Sequence, residues 1–420
     1  MREMKDSGIE WIGQIPLDWK VDKIKYHLKR NEPKNPGNAI VLSVYRDYGV
    51  IPKDSRDDNH NVTSEDTSKY KYVKKGQLVI NKMKAWQGSL AVSDYNGIVS
   101  PAYFIYDFTD EEYNHKYFHY LVRSCYKEEF KRISGGIREG QWDLSPEAFA
   151  NTLVLLPPLV EQKYIADYLD TKCSEIDATA EDIQKEISLL EDYKKSVITE
   201  AVTKGLDPDA EMKDSGVAWI GEIPKDWKII RFKYVAIVKS NLVAPFRYMD
   251  YPQIAPDIIE KDTGNIISHR SVKEASVDSW NHLFYKGQIL YSKIRPVLNK
   301  VTIAPYDGLC SADMYPISAK ENVRFLQYIM LSAFFIKQVD LLTRDRIKMP
   351  KINQDELGNI LLVVPSKEEQ QQIADFLDAK CSEIDAIIAD KKRQRGILTE
   401  YKKSLIYEYV TGKKEVPVHE

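Results

Sequence analysis

Two hydrophobic periods alternate along the chain. From about residue 159 to 204 apolar residues recur every seventh position, with Leu169, Ile176, Ile183, Leu190 and Val197 in one row, Ile165 leading into it, and Ala166, Cys173, Ala180, Ile187, Lys194 and Ala201 in a second. Those rows are the d and a positions of a heptad, so the stretch predicts a coiled-coil helix of some 40 residues, roughly 60 Å long at about 1.5 Å per residue. Pro157 and Pro158 stand at its entry and Gly205 at its end, where proline and glycine start and stop helices. The pattern returns after residue 364 with Ile373, Leu377, Ile384, Leu398 and Leu405. There Lys391 falls in the d row and Arg395 at an a position, which predicts a weaker middle seam with an acidic partner such as Glu181, Asp182 or Glu186 opposite.

Between these helices the period shortens. Short apolar runs at residues 39–44, 77–80, 288–291 and 301–304, separated by turn clusters at 35–38 and 57–59, predict strands of a mixed sheet. One helix is expected in each globular part, over residues 111–133 (Tyr113, Tyr117, Leu121, Cys125 and Ile133 at helical spacing) and 322–342, matched at an offset of 211.

The two helices are copies. Residues 161–178 recur as 369–386 with four of eighteen positions changed, and 4–20 recur as 212–228 with four substitutions; both pairs lie 208 residues apart. A period that long makes each copy a domain-sized unit rather than a solenoid module. The expected fold is α+β with a pseudo-twofold internal duplication: two mixed globular domains (1–155 and 209–363), each followed by a long coiled-coil helix (156–208 with its linker, and 364–420 with its tail). The Trp-Ile-Gly-x-Ile-Pro-x-Asp-Trp segment heading each half is expected to be buried against the domain that follows.

At 43% hydrophobic and 29% charged, the 420 residues have the balance of a soluble globular protein. No apolar run reaches the roughly 18 residues of a membrane span, and a cytoplasmic location is expected. Four cysteines without a Cys-x-x-Cys pair suggest neither a disulfide framework nor a zinc site. The net charge of −3 divides unevenly: +1 for residues 1–155, −6 for 156–208, +3 for 209–363 and −1 for 364–420. Basic globular parts and an acidic first helix allow nucleic acid on the former and protein partners on the latter.

Enzymatic motifs are missing. There is no phosphate-binding Gly-x-x-x-x-Gly-Lys-Ser/Thr loop and no Gly-x-Gly-x-x-Gly. Leu156-Pro157-Pro158-Leu159 lacks the polar residue that an adenine methyltransferase loop needs, and reads as a turn into the helix. Asp257, Glu260 and Lys261 are wrongly ordered for a magnesium nuclease, and His115 and His119 lack the glutamate of a zinc-protease helix.

What remains is a set of basic loops interleaved with amides and aromatics, at matching places in the two halves. In the first half these are Lys71 and Lys74, then Lys82, Lys84, Trp86 and Gln87, and later Arg138 and Gln141. In the second half they are Lys293, Arg295, Asn299 and Lys300, and later Arg344, Arg346, Lys348 and Lys351. Lysine and arginine there would neutralise phosphates, while Gln87, Gln141 and Asn299 would read base edges. Each run taken alone is more often a solvated surface; the paired occurrence raises nucleic-acid binding to an even alternative.

With Pro-Pro-Leu-x-Glu-Gln-x-x-Ile-Ala-x-x-Leu-Asp opening the first helix and the Trp-Ile-Gly segment heading each half, the whole chain resembles the specificity subunit of type I restriction-modification systems. The resemblance implies two target-recognition domains, each reading one half of a bipartite asymmetric site in double-stranded DNA, and two antiparallel helices acting as spacer. It further implies two methyltransferase subunits and restriction subunits as partners, with S-adenosylmethionine, ATP and magnesium on those partners, and no catalysis by this chain. The alternatives are a coiled-coil scaffold that joins proteins without touching DNA, and a self-contained methyltransferase or nuclease.

Overall fold

A computed structural model describes residues 2–46, 48–56, 63, 66–109, 111–136, 142–346 and 348–417. The chain forms two compact units, residues 1–182 with 394–420, and residues 183–393. Each therefore holds one globular part, the beginning of one long helix and the end of the other.

In the first unit the N-terminal hairpin pairs Met4–Asp6 with Gln14–Pro16, and Lys20–Lys23 runs antiparallel to Leu153–Leu156 just before the first long helix. The central antiparallel sheet has the order Leu28–Arg30, Tyr103–Phe108, Leu78–Asn81, Leu90–Val92. One face packs on the helix His115–Cys125 in a core that includes Leu78, Ile80, Phe118 and Leu121; the other face, with Val79 and Ile105, packs on Val44, Val73 and Val99 from two smaller ribbons. This division follows from the period-2 alternation of strand side chains.

The second unit repeats the plan. Its central sheet has the same order, Ala236–Val238, Met314–Ala319, Ile289–Ser292, Val301–Ile303, and its outer ribbon is enlarged to four strands, Leu242–Val243, Asn281–Phe284, Gly308–Cys310 and Gln253–Ile254, the last pair parallel. The predicted strands thus form, with ends shifted by a residue or more. The single helix expected in each half is instead two: His115–Cys125 and Lys127–Arg132, and Val323–Leu331 and Ala333–Thr343, the latter pair bent by 59°. No single described helix is long and apolar enough to cross a membrane, and the bent pair buries Phe325, Ile329, Phe334 and Phe335 in the core. Asn114 and Asn322 cap the first helix of each pair, accepting from Lys116 and Tyr117 and from Arg324 and Phe325 respectively, so the helices correspond at an offset of 208 rather than 211. Three of the four sheet strands do match at 211, the edge strand Leu28–Arg30 and Ala236–Val238 matching at 208, and the three extra residues are recovered between the last of these strands and the capping asparagine.

The long helices span Leu159–Lys204 and Lys367–Val410. Within each unit they run antiparallel. In the first, Tyr168 meets Tyr409 with rings 4.7 Å apart, and Asp177 pairs with Lys402 at 2.6 Å. In the second, Lys194 pairs with Asp385 at 2.6 Å. Lys402 and Lys194 are 208 residues apart, as are Asp385 and Asp177, so one ion pair is made twice with the helices exchanged. Ile165, Leu169, Ile176, Ile183, Ile373, Leu377, Ile384 and Leu405 are buried; Leu190, Val197 and Leu398 are half-buried. Between residues 389 and 397 only Asp390 and Lys391 are not fully exposed, and Lys391 reaches Glu186 at 2.5 Å. The weak seam is there, with the carboxylate expected opposite it.

The repeated residues on the helices grip the globular parts. Trp19 and Trp227, both buried, donate their indole N–H groups to Glu161 (2.9 Å) and Glu369 (3.1 Å). Gln162 and Gln370, fully buried, accept from the backbone of Asn114 (2.8 Å) and Asn322 (3.0 Å). Tyr120 and Tyr328 donate to Asp170 (2.8 Å) and Asp378 (2.7 Å). Trp11 and Trp219, expected to be buried, are 37% and 46% exposed; only the second tryptophan of each motif is core. Each helix ends on that tryptophan with a left-handed glycine, Gly205 (φ +80°) on Trp227 and Gly412 (φ +70°) on Trp19, where a Cβ would lie 3.1 Å and 2.9 Å from the ring.

Candidate nucleic-acid interface

In each unit the loop that follows the central strand meets the late loop of the same half. After Leu78–Asn81 the chain turns through a short 3-10 segment, Ala85–Gln87, and Leu144 N–H donates to the carbonyl of Lys82 at 2.9 Å. After Ile289–Ser292 it turns through Pro296–Leu298, and Ile352 N–H donates to the carbonyl of Lys293 at 3.0 Å. The two bonds are equivalent and join segments about 60 residues apart in sequence, so each holds the turn after the central strand against the segment that follows the late loop.

On the first surface Lys82 pairs with Asp143 at 3.1 Å, Lys84 is exposed, and Trp86 packs against Trp142 with centroids 5.6 Å apart while donating to the carbonyl of Met83. Gln87 is half-buried on the same turn. Lys71 belongs to a strand and is held internally, by Glu32 (2.9 Å) and the carbonyl of Tyr103 (2.7 Å). Lys74 is exposed in the turn before Leu78–Asn81, away from the Lys82 end of that strand. The counterpart of its strand, Asn281–Phe284, is not basic, so this lysine run has no match in the second half. Arg138 and Gln141 lie outside the described residues.

On the second surface Lys293 stands over the ring of Tyr315 (5.2 Å), Lys351 reaches Asp313 (3.3 Å), and Arg346 is tied to Glu356 and to the carbonyl of Lys351. Arg295, Arg344 and Lys348 are exposed. Lys300 donates to the carbonyl of Pro256 at 2.5 Å. Asn299, expected to read base edges, is 1% exposed with its amide nitrogen inside the fold, because its left-handed backbone closes the turn and directs the side chain inward. Carboxylates thus neutralise part of each basic set and leave the rest facing solvent.

Three features went unread in the sequence. Arg56 stacks over the ring of Tyr48 at 4.2 Å, and Tyr48 is 59% exposed at the tip of the hairpin Leu42–Tyr45/Gly49–Pro52. Arg46, from the same tip, lies against Gly88 of the basic loop. In the second unit Trp280, 60% exposed, precedes the strand whose His282 is held below the usual imidazole range by burial and by Lys293. The exposed aromatic beside a cation was the available signal.

Other candidates resolve as structure. The ring of His115 stacks on Phe108, and His119 accepts from Val92 N–H, its pKa pushed down to about 3 by burial. Asp257 pairs with Arg270, and Glu260 accepts from Thr263. Among the described residues no group of three or more His, Cys, Asp or Glu is placed to hold a metal ion.

Two homologous α+β units, each with a basic turn after its central strand and each holding an antiparallel pair of long-helix segments, define a duplicated protein whose two halves share one plan. Residues 18–189 and 224–394 each match the type I restriction modification DNA specificity domain. The chain belongs to that family and is a DNA specificity subunit of the type I restriction-modification class. It is 29% identical over 380 residues to the EcoDI specificity subunit of Escherichia coli, covering 86% of this chain and 81% of that one. It is 26% identical to the MjaVIII specificity subunit of Methanocaldococcus jannaschii over 96% of this chain and 94% of that one. In fold it resembles a solved chain from a type I R-M system described for its complex assembly and conformational transition, with a TM-score of 0.70, 14% identity, and 95% and 99% of the two chains covered.

Proposed function

We propose that each unit reads one half of a bipartite, asymmetric DNA site through its joined loop pair, and that the long helices set the spacer between the half-sites. The observation that carries this is the repeated backbone bond, Leu144 to Lys82 and Ile352 to Lys293, which assembles the same surface twice from loops of different sequence. Different loops on one frame suit two different half-sites. As the specificity component the chain works with methyltransferase and restriction subunits, on which S-adenosylmethionine, ATP and magnesium reside. Two methyltransferase copies are the natural number, since the helix pair offers two equivalent faces around Lys172–Glu175 (2.8 Å) and Lys380–Glu383 (2.8 Å).

The test is selection from a random duplex pool by the full chain assembled with its methyltransferase partner, followed by footprinting. Two protected clusters separated by an indifferent gap are expected. A complex that enriches no sequence would leave a protein-only scaffold as the reading.

A further inference from the structure

Where the two basic loops of the second unit meet, three residues other than glycine hold a left-handed backbone: Arg295 (φ +43°), Asn299 (φ +47°) and Met349 (φ +44°). Such conformations are disfavoured for residues with a Cβ and persist where the surroundings impose them. The first unit separates what the turn requires from what is added. Gly88, the counterpart of Asn299, is also left-handed (φ +92°), so that position belongs to the turn. Lys84, the counterpart of Arg295, has φ −127° and ψ 9°, so the same turn is built without a left-handed residue there.

Arg295 is held by the late loop. Its N–H donates to the carbonyl of Pro350 at 2.8 Å and Ile294 bridges Lys351, and these contacts hold the left-handed backbone against Pro296, whose ring favours an extended residue before it. The neighbouring cations are engaged: Arg346 with Glu356, Lys351 with Asp313, Lys300 with a carbonyl, and Lys293 over Tyr315. Arg295 is exposed and makes no ion pair among the described residues. A fixed backbone behind an uncommitted guanidinium lowers the ordering cost of a directional contact, which a phosphate contact does not need.

We propose that Arg295 is a base-reading residue of the second unit, its planar fork presented to the O6 and N7 edge of a guanine in the major groove. This rests on the reading that the unit contacts DNA. Lys84, a point charge on a relaxed backbone, holds the equivalent place in the first unit as a phosphate contact, so the two units use this position differently.

The experiment is selection from a random duplex pool by the full chain assembled with its methyltransferase partner, comparing wild type with Arg295→Ala, Arg295→Lys and Arg295→Gly, and measuring affinity against salt. All three substitutions should lower the preference at one base pair of one half-site by roughly ten-fold or more, leaving the other positions and the salt slope unchanged. Arg295→Gly removes the backbone strain and must show the same loss, which separates reading from folding. Uniform weakening with a salt slope shallower by about one would make Arg295 a phosphate contact and overturn the proposal, as would unchanged specificity. Wild type failing to enrich any sequence would instead refute the DNA reading itself.

Discussion

Gln162 offers the sharpest test of how the helix holds the globular part. It is fully buried and uses every hydrogen-bonding group it has at that site: its carbonyl accepts from Asn114 N–H (2.8 Å), and its amide donates to the carbonyls of Glu112 (2.7 Å) and Pro157 (2.9 Å). Replacing it with alanine strands one donor and two acceptors. At about 1 kcal/mol for each lost bond, the expected cost is about 3 kcal/mol in the first unit. Glutamate has nearly the same shape but at neutral pH faces two carbonyls with a carboxylate, so Gln162→Glu should cost at least as much and recover as acid protonates it. Gln370 is the internal comparison, because it directs one amide bond to the Glu321 carboxylate (3.0 Å) instead of a carbonyl. Unfolding of the full chain, followed by hydrogen exchange so that the units are resolved, should place the Gln162 loss in residues 1–182 and the Gln370 loss in residues 183–393. A Gln162→Ala cost under 1 kcal/mol, or equal loss in both units, would refute the clamp.

Other expectations follow from the same structure. Gly412→Ala should destabilise the first unit by about 1–3 kcal/mol in thermal unfolding, since its Cβ would lie 2.5 Å from Pro16, whereas Gly396→Ala, in the open middle of a helix, should stabilise by up to about 1 kcal/mol. The folded pKa of His119, about 3, lies below its unfolded value of 6.5, so the unfolded chain binds the proton first; its stabilisation is present above about pH 6.5 and lost as pH falls toward 3. That slope, at most about 1.4 kcal/mol per pH unit, should flatten in His119→Gln when unfolding is followed against pH. Lys82→Ala with Lys84→Ala should weaken DNA binding for all sequences and reduce the salt dependence; an unaltered slope would remove both from the phosphate set. One heptad added to each long helix, about 10.5 Å, should lengthen the recognised gap by about 3 base pairs, and an unchanged site would refute the spacer.

The duplication, the long helices and the family were legible because they are written in local repetition: a heptad period, two copied segments and a Trp-Ile-Gly motif all lie along one stretch of chain. The basic loops were legible as composition but not as a surface. Asn299 and Gln87 look alike in sequence, yet one is buried by its turn and the other lies on the surface loop. Lys71 and Lys84 look alike too, and only the position of Glu32, 39 residues before Lys71, separates a half-buried ion pair from an exposed charge.

From sequence alone came two halves, their strands, a coiled-coil seam and its weak middle at Lys391, since each depends on neighbours a few residues apart. Tertiary structure decided that the repeated Glu161, Gln162 and Asp170 grip their own globular part, that each unit is completed by the end of the other helix, and that Leu144 joins Lys82 as Ile352 joins Lys293. Those contacts unite residues far apart in the chain, and no local period encodes which buried donor will find which distant acceptor.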